Sequence, residues 1–124
     1  MERVVSIRGA ITVKENSIVE IKNATKELLN QIFKANNINE VQIINIIFTA
    51  TDDLNVINPA TIAREEFKLD TIPMLCIQEM KVKNGLPMCI RTMVQTYTSL
   101  SKDEVKHIYL EGATNLRPDL NYEI

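Results

Sequence analysis

The pattern of apolar residues predicts an α/β (α+β) fold, a mixed β-sheet of about five strands with one long helix and short helices between strands. Three observations predict it. Runs rich in β-branched residues recur near the start, the middle and the end of the chain, one long segment has its apolar residues at helical spacing, and strand-like and helix-like segments alternate. A length of 124 residues suits a single domain, 1–124, with a polar tail from about residue 115.

Residues 3–13, RVVSIRGAITV, make the first strand, with Val5 and Ile7 on one face and Val4, Ser6 and Arg8 on the other. Ser17 and Glu20 have capping-box spacing and open the long helix, in which Ile18, Ile21, Leu28, Leu29, Ile32 and Phe33 recur every three or four positions up to Lys34. Asn36-Asn37 ends it. Residues 41–50, VQIINIIFTA, are too apolar for a half-exposed strand, which predicts burial near the sheet centre. After the polar break Thr51-Asp52-Asp53-Leu54, Asn58 supplies an N-cap and Pro59 a first-turn proline for a short helix reaching about Phe67. Strands at 74–80 and 88–98 follow, separated by the turn Lys83-Asn84-Gly85. Ser101 and Glu104 cap one helical turn, and residues 107–112, HIYLEG, form a last strand alternating Ile108 and Leu110 with Tyr109 and Glu111. Leu116 and Leu120 are the apolar anchors of the tail. A single long helix covers only one face of a sheet, so the bare face and the strand edges predict a symmetric homo-oligomer.

Composition narrows the function classes. Hydrophobic residues at 45% and charged residues at 24% are those of an ordinary globular domain. Fourteen Lys+Arg against sixteen Asp+Glu leave a net charge of −2, which favours neither nucleic acid nor an anionic membrane surface, so an anionic ligand must be drawn by a local cluster. No apolar stretch approaches the ~20 residues that span a bilayer and the start of the chain has no signal-peptide pattern, so the expected location is the cytoplasm. Cys76 and Cys89 fit neither a C-x-x-C pair nor a zinc framework and are expected to be thiols, with no metal bound. With three glycines the chain has no phosphate-cradling loop, and its one histidine, His107, sits in no Ser or Cys motif that would make it a base. Met74, Met80, Met88 and Met93 read as core filler.

Two of the five arginines, Arg8 and Arg91, lie inside apolar strands. Alternation places Arg91 with Cys89 and Met93, away from Ile90, Thr92 and Val94. A guanidinium there needs an anion or several acceptors, since an unpaired charge in low dielectric is very costly. It can clamp a carboxylate or phosphate, or pair internally with Glu79 or Glu111. Glu79 ends an apolar strand, where it can take a hydroxyl proton, fix an arginine or simply face solvent. Cys76 lies three residues from Glu79, so the two serve one site only if the strand bends or ends between them. Tyr109 offers a phenol on the face predicted for Glu111, though a strand tyrosine is commonly a packing residue.

Taken in order, Ile7-Arg8-Gly9-Ala10, Thr49-Ala50-Thr51-x-Asp53-Leu54, Pro59-Ala60 with Ala63-Arg64-Glu65, Cys76-x-Gln78-Glu79-Met80, Cys89-Ile90-Arg91, His107-x-Tyr109-Leu110-Glu111 and Leu116-Arg117-Pro118-Asp119-Leu120 resemble the monofunctional AroH class of chorismate mutases. The resemblance runs along nearly the whole chain. It implies a homotrimer with a barrel-like core of packed sheets, active sites at the subunit interfaces, no cofactor, and the Claisen rearrangement of chorismate to prephenate on the way to phenylalanine and tyrosine. It further implies that Arg91 meets the ether oxygen, that Arg8 and Tyr109 bind the side-chain carboxylate, and that Glu79, helped by Cys76, holds the ring hydroxyl. Arg64 of an adjacent subunit, together with Arg117 and Leu116 of the tail, would complete the pocket. Three pocket positions depart from the family pattern: Asn58 stands where an aromatic residue is usual, Thr61 where lysine is usual and Leu75 where threonine is usual. These departures leave room for a non-catalytic trimeric module that binds a small carboxylate. An imine hydrolase on a similar trimeric fold is a third reading, opposed by the pairing of Glu79 with Arg91.

Overall fold

A computed structural model describes residues 2–117. The anchor expected at Leu120, with the Pro118-Asp119-Leu120 stretch, lies outside the described residues. One mixed sheet has the order β3-β2-β4-β1-β5, with β1 at Arg3–Thr12, β2 at Ile43–Ala50, β3 at Met74–Gln78, β4 at Cys89–Thr98 and β5 at Ile108–Leu110. The central strand β4 is antiparallel to both β1 and β2, while β3 and β5 are parallel additions at the two edges.

Helices α1 (Ile18–Ala35) and α2 (Pro59–Phe67) share the core on one face of the sheet. Ser17 caps α1 by accepting from the Glu20 N–H at 3.1 Å, whereas its own N–H donates to Glu15 O, so only half of the predicted capping box forms. Ile21, Leu28, Leu29 and Ile32 are fully buried, each worth about 1.5–3 kcal/mol of transfer free energy. Ile18, in the first turn, is 56% exposed, so the buried stripe starts one turn later than predicted. Asn36 caps the C-terminus, and Asn37 takes the left-handed conformation (φ 50°) that a short polar side chain tolerates. At α2, Asn58 accepts from the Ala60 N–H at 2.8 Å with Pro59 in the first turn, as predicted. An edge-on contact of Phe33 with Phe67, ring centroids 5.6 Å apart, and a Lys26–Glu66 ion pair at 3.1 Å join the two helices.

Both helices lie on one face, and this corrects three expectations. First, β2 is not buried throughout and is not central: Ile46 and Phe48 are fully buried toward the helices, while Ile47 and Thr49 stay half-buried on the bare face. Its predicted start is a 3-10 turn, Glu40–Gln42, that leaves Val41 exposed. Second, the methionines divide. Met74 and Met88 pack against the core, whereas Met80 and Met93 are exposed. Third, the last strand is shorter than predicted: Glu111 turns with φ 52° into a 3-10 helix, Glu111–Asn115, and so leaves the face that Tyr109 occupies. The turn at Lys83-Asn84-Gly85 forms, with Asn84 at φ 63° and the Gly85 N–H donating to Val82 O at 2.9 Å, but it joins strands that do not pair, because β2 lies between them. The Ser101 turn closes as a single helical turn, with the Val105 N–H on Ser101 O and the Ser101 N–H on Glu104 Oε1.

Val4, Leu75, Ile77, Met93 and Tyr97 cover the bare face with apolar surface, each between 41% and 63% exposed. Val4 and Tyr97 lie at one end of this face and Leu75, Ile77 and Met93 at the other, and exposed apolar surface of this kind fits an association surface. No helix among the described residues is long and apolar enough to cross a membrane.

Candidate active site

The helix-facing positions of β1 and β4 are apolar, so their intervening residues fall on the bare face, and the register sets them in rows. One row runs Thr49, Arg91, Ala10, Tyr109 across β2, β4, β1 and β5; the adjacent row runs Ile47, Met93, Arg8. Arg8, Arg91 and Tyr109 therefore rise from neighbouring positions on this face. The result is a cavity of about 380 Å³, within the range of small-molecule sites. Arg8, Glu79, Arg91, Tyr109, Leu116 and Arg117 line it. Ile47 and Met93 add apolar walls.

Arg91 and Glu79 form the pair that alternation allowed. Arg91 Nε lies 3.1 Å from Glu79 Oε1, with side-chain exposures of 42% and 25%. That Nε is buried and its N–H is not aligned on any acceptor, so the contact is one of charge and leaves a donor unmatched. Thr49 Oγ1 donates to the same Glu79 oxygen at 2.6 Å, and the Glu79 N–H donates to Ala50 O at 2.9 Å. Glu79 is thereby held just past the end of β3, with Arg91 drawn toward it.

The polar break at Thr51 and Asp53 clamps the start of β4. The Met88 N–H donates to Asp53 Oδ2 and the Cys89 N–H to Thr51 Oγ1, both at 3.0 Å, while Thr51 Oγ1 donates to Asp53 Oδ1. These bonds fix the chain two residues before Arg91. On the other side, Ala10, Cys89 and Ala113 form a small cluster of their own, against which Tyr109 and Leu116 pack. The Gly112 N–H donates to Thr12 Oγ1 at 2.8 Å, so the 3-10 helix sits across β1 and delivers Leu116 and Arg117 to the cavity.

Five predicted site residues are not brought to this cavity within one protomer. Cys76 packs on the helix-facing side and lines a separate cavity with Asn58, so within one protomer it stands apart from Glu79. The strand does end between them, at Gln78, but the odd spacing still leaves Cys76 on the opposite face. Leu75 is exposed on edge strand β3, and Thr61 and Arg64 stand on α2. Two residues that matter were missed. The face of Thr49 was legible from β2 alternation, and the register puts it beside Arg91; His107, whose Nδ1 accepts from the Arg8 N–H at 2.9 Å, stood in the His107-x-Tyr109 motif but with no role that the sequence assigns.

Burial raises both thiol pKa values, that of Cys89 to about 11. A raised pKa keeps a thiol protonated, so at pH 8 the folded protein is expected to leave Cys89 untouched by a thiol-reactive disulfide while half-buried Cys76 reacts slowly. Release of two equivalents in the native state, before denaturant is added, contradicts this.

Three guanidiniums, a carboxylate and a phenol around apolar walls define a protein that binds and orients a small carboxylated molecule. The chain matches the family model for chorismate mutase type I over residues 4–120, and it belongs to that family. It is 39% identical to chorismate mutase AroH of Bacillus subtilis (strain 168) over 115 residues, 93% of this chain and 91% of the relative. It is 41% identical over 115 residues to chorismate mutase AroH of Thermus thermophilus, covering 92% and 93% respectively. A solved chorismate mutase from Clostridium thermocellum superposes with a TM-score of 0.85 at 39% identity, over 89% of this chain and 97% of that one.

Proposed function

We propose that this chain catalyses the Claisen rearrangement of chorismate to prephenate, with Arg91 as the residue that stabilises the transition state. Family membership supports the reaction. The observation that carries the residue assignment is Arg91 itself, held by Glu79 and opening onto an apolar cavity shared with Arg8 and Tyr109.

The chemistry accounts for the residue types. Chorismate is a dianion whose enolpyruvyl arm must fold over the ring before the carbon–carbon bond forms, and a site that holds this conformer removes entropy from the barrier. Three electron pairs shift in one ring: the carbon–carbon bond forms as the ether bond breaks, and no proton is transferred. Charge accumulates on the ether oxygen. A fixed cation there is worth more in the transition state than in the ground state, which is the condition for acceleration. Arg8 and Tyr109 take the side-chain carboxylate, Glu79 accepts from the ring hydroxyl, and Arg117 with Leu116 closes the rim.

The active assembly is a homotrimer. Its support is the bare apolar face together with the position of the residues left outside the cavity: Leu75, Cys76, Asn58, Thr61 and Arg64 belong to the β3 edge and α2, whereas the cavity reaches the β1–β5 edge. In a ring of copies the β3 edge of one protomer meets the β1–β5 edge of the next, so each site draws on two chains. In this arrangement Thr61 stands near the rim. Thr61→Lys is therefore expected to lower KM for the dianion about threefold to tenfold with little change in kcat, since a peripheral charge binds ground and transition states alike. A kcat change without a KM change would remove residue 61 from the rim.

The test is the loss of chorismate absorbance with purified protein, with prephenate identified as product. Turnover establishes the activity; a folded oligomer that binds chorismate without converting it would instead be a carboxylate-binding module.

A further inference from the structure

We propose that His107 is a positioning residue for Arg8: its Nδ1 holds the Arg8 backbone in the place from which the guanidinium reaches substrate. The inference rests on the reading of Arg8 as the carboxylate-binding arginine. Its geometry stands independently.

Strand β1 has β4 on one side and β5 on the other, but pairing with β5 begins only at Gly9 opposite Ile108. The Arg8 N–H points to the β5 side one residue before that ladder starts, where no backbone carbonyl meets it. His107 Nδ1 fills the vacancy at 2.9 Å. An imidazole nitrogen that accepts carries no proton, so His107 is the neutral Nε2–H tautomer in this contact. The imidazole is itself held from behind. Buried Asn36, at the end of α1, accepts from the Lys106 N–H at 2.7 Å and donates to Lys106 O at 2.9 Å, a two-bond clamp on the residue before His107. Asn36 also donates to Ile32 O in the last turn of α1, so the clamp is anchored in the helix. A continuous set of contacts therefore runs from the helix core through Lys106 and His107 to Arg8.

The surroundings favour the neutral ring. His107 and Arg8 line one cavity on the bare face together with Lys102, and Arg117 acts on the ring from beyond the 3-10 helix. The charged groups facing the imidazole, Arg8 on β1, Lys102 in the turn after β4 and Arg117 in the tail, are all cations. Burial first, and then Arg8 and Arg117, hold its pKa below the ordinary value of 6.5. Protonation would turn the acceptor into a donor facing the Arg8 N–H. Leaving that partly buried donor unmatched costs more than a screened additional cation returns in substrate attraction.

Two readouts test this. His107 is the only histidine, so a nitrogen-15 NMR titration of the imidazole reports the contact whether or not the protein turns over. The expected result is an unprotonated Nδ1 and a midpoint below 6.5; an Nδ1–H tautomer or a midpoint at or above 6.5 overturns the contact. Kinetics test the consequence. His107→Leu removes the acceptor and is expected to raise KM for chorismate about tenfold while lowering kcat less, the pattern of lost uniform binding. His107→Asn places Oδ1 where Nδ1 was and should restore KM. Because kcat/KM reports ionisations of the free enzyme, the wild type should show an acid limb below pH 6.5 that the Asn variant lacks. A Leu variant with wild-type KM, or an Asn variant that keeps the limb, overturns the proposal. If the wild-type protein fails to convert chorismate, the proposed function falls; chorismate binding by calorimetry, compared across the same two variants, then decides the role of His107.

Discussion

Arg91→Ala is expected to lower kcat at least about a thousandfold, roughly 4 kcal/mol of barrier, while the protein still folds and assembles. The magnitude follows from what the rearrangement lacks. There is no nucleophile to activate and no proton to move, so electrostatic stabilisation of the ether oxygen and conformational restriction of the arm must supply the acceleration between them. Removing one neutral donor from a preorganised oxyanion site commonly costs 10²–10³; Arg91 contributes a full charge in a cavity with apolar walls. Folding is expected to survive because the Arg91 side chain is 42% exposed and its contact with Glu79 is one of charge, without an aligned hydrogen bond. The strand position itself is held by Thr51 and Asp53, which the substitution does not touch. Arg91→Lys separates charge from geometry: a compact ammonium restores charge but cannot present the planar fork, so recovery should be partial. The measurement is steady-state kinetics on variants shown by sedimentation to keep the wild-type assembly. An alanine variant within tenfold of wild-type kcat would strip Arg91 of its role and shift attention to Arg8 and Arg117.

What the sequence could and could not reveal follows from the reach of each signal. Alternation is a local property, and it placed Arg8 and Arg91 on the face away from the core because neighbouring Val5, Ile7, Ile90 and Val94 had to face the helices. Caps are equally local, so Ser17 and Asn58 open their helices where spacing put them. Strand order is not local. The Asn84 turn is visible in sequence, yet the strands on either side of it are kept apart by β2, a pairing set by which ladder closes best in three dimensions. The apolar character of 41–50 misled for a related reason. Ile47 belongs to the bare face and lines the cavity there, and an apolar residue that walls a cavity looks, in sequence, like one chosen for the core. Cys76 and Glu79 make the same point at the site, since neighbours three apart along a strand turn to opposite faces. The role of His107 was illegible because its contribution is an acceptor for a backbone N–H, and nothing in residue spacing reports which backbone groups lack partners.

Gly9→Val is expected to destabilise the protein by about 3 kcal/mol, against every local propensity. Glycine inside a strand costs conformational entropy, and valine is among the best strand formers, so a local reading predicts a gain of up to about 1 kcal/mol. No glycine in the described chain has positive φ, so the Gly9 backbone would accept any residue. Space decides instead. A Cβ at Gly9 would lie 2.8 Å from Ile32 Cδ1 and 3.0 Å from Leu28 Cδ1, two fully buried side chains that seat α1 on the sheet, and 3.0 Å from Ile108 O. The side-chain ends can give way by a few tenths of an ångström, but the carbonyl belongs to β5 and its retreat loosens the β1–β5 edge. Gly9→Ala therefore carries the smaller penalty, with the lower entropy of its unfolded chain offsetting part of it; valine adds two methyl groups with nowhere to go. The check is the urea midpoint at one fixed protein concentration for all variants, with the slope unchanged. A midpoint equal to or above wild type for the valine variant would mean that α1 rides on the sheet loosely enough to shift. Arg8 is the next residue on β1 and Tyr109 follows Ile108 on β5, so the same strain should reach the cavity and appear as a higher KM for substrate even under conditions where the variant is fully folded.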